Sequence, residues 1–214
     1  MQGLIGKKLG MTQVYDDSGV RVPVTVIEAG ACVVIQCKTK ARDGYDAIQL
    51  GYGDCREKSL SKPELGRLKQ AGVSPRRCIR EFRSESGDSE LKPGDTATVA
   101  VFEGVSHVDV IGVAKGRGFA GLLKRHNMAG GFMTHGGHSK RRVGSIGQCS
   151  FPARVAKGQR MPGHMGHAKR TQQNLKVVGL RPDNNLILVR GAVPGPQGGI
   201  VLVRKACKKR EKKS

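Results

Sequence analysis

Through the first half of the chain, apolar positions come in short clusters of β-branched residues and show no helical stripe. Thr12–Tyr15 and Val20–Glu28 flank Asp16-Asp17-Ser18-Gly19, a turn-forming run between two strand-like stretches. Cys32–Lys40 and Tyr45–Tyr52 repeat the arrangement around Arg42-Asp43-Gly44. One stretch departs from it. Ser61–Ala71 (SKPELGRLKQA) places a candidate N-cap at Ser61, a Glu at position 64 that would complete a capping box, and a stop at Gly72. Thr96–Phe102 and His107–Val113 return to strand character. So do Leu175–Leu180, Leu186–Val189 and Ile200–Val203, with Asp183-Asn184-Asn185 as a turn. Many short strands and a single helix predict a mainly β fold: a compact β-barrel with a small helical insertion at about 61–71.

The pattern fails between 115 and 172. The stretch has few β-branched residues and sustains neither the strand nor the helix period. It contains 12 glycines, each of which costs ordering entropy. A long segment without its own core is an extension that orders on a partner. The expected organisation is therefore a barrel from 1–114 and 173–204, a Gly-rich extension over 115–172, and a C-terminal tail at 205–214.

Charge sharpens this division. The chain carries 38 Lys and Arg against 17 Asp and Glu, a net charge of +21, which calls for a polyanionic partner. Residues 1–109 are nearly balanced, with 16 basic and 15 acidic side chains. Residues 110–182 hold 14 basic side chains and no acid. A solvated helical face mixes both signs, so a stretch that excludes every carboxylate is avoiding repulsion from something negative. A membrane is the weaker choice of polyanion. No apolar run approaches the roughly 18 residues of a span, and no basic amphipathic helix stands out.

Several motifs invite other chemistry. Gly116-Arg117-Gly118-Phe119-Ala120-Gly121 has the G-x-G-x-x-G spacing of a dinucleotide loop. That reading needs a following helix and an acid about 20 residues on to hold the ribose. Asp109 is followed by no acid until Asp183, so no cofactor is expected. His135 with His138, and His164 with His167, form two H-x-x-H pairs, the donor number of a tetrahedral site. They stand among cations with no carboxylate to orient the imidazoles, which favours contacts with RNA over a metal. A Cys149–His dyad lacks an orienting acid in the same way. The six cysteines form no C-x-x-C pair and read as reduced, mostly buried thiols.

The candidate RNA-binding residues follow from the basic extension. Lys115, Arg117 and Phe119 lie in the glycine motif, and Lys124, Arg125 and His126 follow. The middle holds His135, His138, Lys140, Arg141 and Arg142. Gln148, Arg154, Lys157 and Arg160 come next, and His164, His167, Lys169 and Arg170 lead back to the barrel. Arg and Lys neutralise phosphates, and glycines let backbone approach closely. Phe119, Phe132 and Phe151 are interleaved with the cations. They could stack on unpaired bases or anchor the extension to the barrel, and both readings stand at this point.

The opening Gly3-Leu4-Ile5-Gly6-Lys7-Lys8-Leu9-Gly10-Met11-Thr12 closely resembles the start of the ribosomal large-subunit protein three family in its bacterial form. Pro23-Val24-Thr25-Val26-Ile27-Glu28 and Lys115-Gly116-Arg117-Gly118-Phe119-Ala120-Gly121 are similar to further signatures of that family. Thr134-His135-Gly136, Gly144-Ser145-Ile146-Gly147 and Lys157-Gly158-Gln159-Arg160-Met161-Pro162-Gly163-His164-Met165-Gly166 follow in the family's order. The last match is Val189-Arg190-Gly191-Ala192-Val193-Pro194-Gly195. The resemblance implies a translation-protein-type β-barrel with an extension that threads large-subunit ribosomal RNA towards the peptidyl transferase centre. It also implies a role in early subunit assembly, neighbouring large-subunit proteins as partners, a cytoplasmic ribosome as location, no membrane or small-molecule substrate, and no enzymatic activity.

Two positions depart from some family members. Ser150 falls where those members carry a side-chain-methylated glutamine, with Gln148 two residues away, so an unmethylated chain is expected. His126, after Lys124-Arg125, falls where some have tryptophan. Two other functions remain to be separated from the ribosomal one. A free-standing RNA chaperone would not sediment with large subunits in high salt, and a nucleotide-dependent enzyme would bind nucleotide.

Overall fold

The computed structural model describes residues 2–84 and 91–209. β1 (Gly3–Tyr15) and β2 (Arg21–Glu28) form a hairpin about the Asp16–Gly19 turn. β3 (Cys32–Lys38), β4 (Ala47–Asp54), β5 (Arg76–Arg83) and β6 (Thr96–Ala97) follow, with α1 (Lys40–Asp43) and α2 (Lys62–Gln70) between them. After β7 (His107–Val113) come the short β8 (Phe119–Ala120), α3 (Leu122–His126) and β9 (Gly163–His164). β10 (Lys169–Arg181), β11 (Leu186–Arg190) and β12 (Ile200–Lys205) complete the chain.

Six of these strands close a barrel in the order β1-β12-β7-β10-β11-β2, every pair antiparallel. Strand alternation points one set of side chains inward: Thr25 and Ile27 of β2, Val108 and Val110 of β7, Ile187 and Val189 of β11, Val201 and Val203 of β12. All are fully or almost fully buried. The fold is thus mainly β with a closed barrel. β3 and β4 are not barrel strands, however. They pair in a separate sheet of order β5-β4-β3-β6. That sheet shares one continuous core with the barrel, through Val34, Ile48, Leu50 and Phe82. Gly3 permits the junction, since a Cβ there would stand 2.8 Å from the Phe82 ring.

Local signals and structure differ in a few places. β5 was not legible, because its buried Cys78 and Phe82 stand among four arginines. Thr96–Phe102 is a strand only at Thr96–Ala97 and then turns as a 3-10 helix over Val99–Phe102. Three residues per turn put buried Val99 and Phe102 on one face. The stretch predicted to run to Lys40 stops at Lys38, where the single turn α1 begins and ends at Gly44 with φ 80°. The predicted helix is present as α2. The Glu64 carboxylate accepts from the Ser61 N–H at 3.1 Å and the Ser61 hydroxyl at 2.8 Å, which holds it below the ordinary carboxyl range. Leu68 of α2 packs with Ile35 and Val73 in a second small core. The cysteines are less buried than expected: Cys32 and Cys78 are, but Cys149 and Cys207 are exposed.

The chain forms two compact units, Met1–Val113 with Lys169 onward, and Ala114–Ala168. The second interrupts the first between register partners, since Val113 of β7 pairs with Lys169 of β10. The predicted extension ran to 172, but Lys169 and Arg170 already lie in the β10 ladder. The polar run KRTQQN hid this half of β10, because it is exposed and a bulge between Gln172 and Leu175 breaks the alternation. Asp109 holds that bulge. Its carboxylate, 1% exposed, accepts from the Asn174 N–H at 2.9 Å, and Arg204 lies 3.4 Å away.

Candidate nucleic-acid interface

The Ala114–Ala168 unit starts as a two-stranded stem. The Ala114 N–H donates to Ala168 O at 2.9 Å, the Arg117 N–H to Met165 O at 2.8 Å, and the Met165 N–H to Gly118 O at 2.9 Å. β8 and β9 continue it, with Phe119 opposite His164 and Ala120 opposite Gly163. The glycines of the G-x-G-x-x-G run serve this crossing. Gly118 has φ 67°, and across from it Gly166, at φ 78°, packs against the Lys115 carbonyl where a Cβ would collide.

α3 is tied to the returning chain by two of the predicted RNA ligands. The Arg125 guanidinium donates to Met161 O at 2.7 Å, and His126 Nε2 lies 3.2 Å from the same oxygen. Gly163 leaves room for this approach, since a Cβ there would sit 2.8 Å from the Arg125 guanidinium and push it aside. These two residues therefore shape the stem, and Arg125, still exposed, keeps donors to spare.

Farther along, Gly130 and Gly131 cross the chain at Ser139–Lys140. The Gly131 N–H donates to Lys140 O at 3.2 Å, and Cβ atoms on the two glycines would stand 2.6 Å from Lys140 O and 2.8 Å from Ser139 O. This crossing closes a loop beside an open hollow of about 600 Å³, lined by Met133, Gly136, Gly137, His138, Lys140, Arg141 and Arg142. A second hollow of about 350 Å³ is lined by residues that include Ser145, Ile146, Gln148, Arg154 and Gln159.

The surface chemistry is one-sided. All 10 Lys and Arg of residues 114–168 are exposed, and with no Asp or Glu in the unit none has an internal ion-pair partner. Phe119, Phe132 and Phe151 are 79%, 86% and 84% exposed. Rings this open do not pack into the core of the unit and are free to meet a partner. His135, His138, His164 and His167 are exposed too, His135 and His167 at positive φ. Among the described residues, no three His, Cys, Asp or Glu side chains come together as a metal site would require.

Sequence reasoning passed over the exposed Met128, Met133, Val143, Ile146 and Val155 of the same unit. A signal for them existed. Apolar residues in a stretch with no periodicity have no core to enter, so they remain at the surface beside the cations.

A family model described as ribosomal protein L3 matches residues 87–183. The large ribosomal subunit protein uL3 of Brachyspira hyodysenteriae is 51% identical over 213 residues, which cover 100% of this chain and 98% of that one. The chain belongs to the ribosomal protein L3 family. The uL3 of Heliobacterium modesticaldum is 51% identical over 97% of this chain and 98% of its own length. That of Acidothermus cellulolyticus is 52% identical over 97% and 94%. Membership of the L3 family makes this a ribosomal protein and not an enzyme. Among the described residues, no helix is long and apolar enough to cross a membrane.

Proposed function

We propose that this L3-family chain is a structural component of the large ribosomal subunit, with the Ala114–Ala168 unit as its principal contact with ribosomal RNA. The observation that carries the reading is the pairing of 10 exposed, acid-free cations with three open phenylalanines in one unit. Cations neutralise closely packed phosphates, and rings stack on splayed bases. Lys115, Arg117, Lys140, Arg141, Arg142, Arg154, Lys157 and Arg160 serve the phosphates. Lys169 and Arg170 are exposed on β10 of the barrel unit and carry further positive charge. From the family resemblance, the proposal extends to a tip of the extension near the peptidyl transferase centre and to a role early in subunit assembly, in the cytoplasm.

The test is a chain in which Gly121–Gly163 is replaced by a short Gly-Ser bridge. All barrel strands lie outside the deletion, so the barrel should fold and stay soluble. Large subunits made with it should mature poorly and lose activity, while the full chain sediments with subunits in high salt. Normal subunits built from the truncated chain would overturn the proposal. Full-length chain that washes off in salt would favour a free-standing RNA chaperone.

A further inference from the structure

β1 contacts β12 only over Gly3–Lys7. Past a bulge between Lys8 and Gly10 it continues to Tyr15, with β2 as its only strand partner among the described residues. The directions of its peptide groups follow from two hydrogen bonds. The Asp16 N–H donates to Val20 O at 3.0 Å, so residue 16 faces β2. Pro23 turns its carbonyl the other way, to the Gly191 N–H at 2.9 Å. Antiparallel alternation then directs Thr12 and Val14 to β2, and points the N–H and C=O of Met11, Gln13 and Tyr15 away from it. Among the described residues, no strand pairs with this edge.

Open edges template unwanted pairing, and the other long ones in this fold are blunted. β5 presents Arg76, Arg77, Arg80 and Arg83, and the first half of β10 presents Lys169 and Arg170. Gly10–Tyr15 (GMTQVY) has no charge and no proline. It displays Met11 at 53% and Tyr15 at 66% exposure, with Val20 at 59% across the turn. The turn itself holds exposed Asp16 and Asp17, two adjacent acids in a chain of net charge +21.

This combination does not suit RNA. The carboxylates repel phosphate, and alternating peptide donors and acceptors match another peptide strand. A second copy paired antiparallel about Gln13 would set Asp16 and Asp17 across from Gly10 and Leu9, with no cation directly opposite them. We propose that the Met11–Tyr15 edge is completed by an extended, Lys- or Arg-bearing strand of a neighbouring protein of the large subunit. The added strand extends the β2–β1 sheet, its apolar side chains cover Met11 and Tyr15, and its cations meet Asp16 and Asp17. The inference rests on the ribosomal reading above.

The experiment uses full-length chain in purified large subunits. A photo-crosslinking amino acid at Gln13 should capture one segment of one neighbouring protein, with an excess of Lys and Arg. Hydrogen exchange should show the Gln13 and Tyr15 amides slowed about tenfold or more on going from free chain to subunit. The Val14 amide, already bonded to β2, should be protected in both. Crosslinks to RNA, to a second copy or to nothing would overturn the proposal, as would Gln13 and Tyr15 amides that remain open in the subunit. If the chain sediments with subunits and these amides stay open, this inference alone fails. If it does not sediment with them, the ribosomal reading fails as well.

Discussion

Replacing Phe119, Phe132 and Phe151 by alanine, singly and together, should separate folding from RNA binding. Each ring is at least 79% exposed, so no more than about a fifth of it contributes to packing. Full burial of a phenylalanine is worth about 1.5–3 kcal/mol, so each truncation costs the free protein about 0.3–0.6 kcal/mol. A ring stacked on a base contributes about 1–3 kcal/mol to binding, or roughly a 5- to 150-fold loss of affinity on truncation. The two numbers differ enough to be resolved. Thermal melts followed by circular dichroism should nearly superimpose, while titration with large-subunit RNA fragments should show the weakened binding. A salt series tells stacking from charge. Losing a ring lowers affinity by the same factor at every salt concentration, whereas losing a phosphate contact flattens the salt slope by about 0.7. If all three single variants bind within about twofold of the parent, the stacking account is wrong.

Other consequences can be measured separately. If about half of the 10 cations of residues 114–168 contact phosphates, log K against log salt should fall with a slope of about −3.5, and a slope shallower than about −1.5 would rule out the electrostatic account. Asp109→Ala should destabilise the barrel by about 2–3 kcal/mol in urea unfolding, since it leaves the Asn174 N–H at the β10 bulge without its charged acceptor. Asp109→Asn should cost less, and an alanine variant within about 0.5 kcal/mol of the parent would show that the bulge does not depend on Asp109. In thiol labelling of the native protein near pH 8, Cys149 and Cys207 should react first. Cys32 should react last, because burial raises its thiol to about 11 and attack requires the thiolate. Early modification of Cys32 would contradict its placement in the core.

The sequence alone determined what local chemistry determines. The Ser61–Glu64 pair marked α2, the Asp16–Gly19 and Asp183–Asn185 turns marked their hairpins, and β-branched clusters located β2, β7, β11 and β12 to within a residue or two. The acid-free stretch and its glycines set the 114–168 unit apart, because charge segregation and missing periodicity are properties of the chain before it folds. The tertiary structure decided what depends on distant partners. Whether β3 and β4 join the barrel turns on which backbone reaches their hydrogen bonds, and no residue type encodes that. β5 and the first half of β10 were concealed because one is rich in arginine and the other exposed, so pairing and not side-chain pattern makes them strands. The open phenylalanines, the use of Arg125 and His126 on the Met161 carbonyl, and the unpaired outer edge of Met11–Tyr15 became visible only in the fold. Exposure and hydrogen-bond partnership are set by residues far away in sequence, 36 positions for Arg125 and Met161, and only the folded chain brings them together.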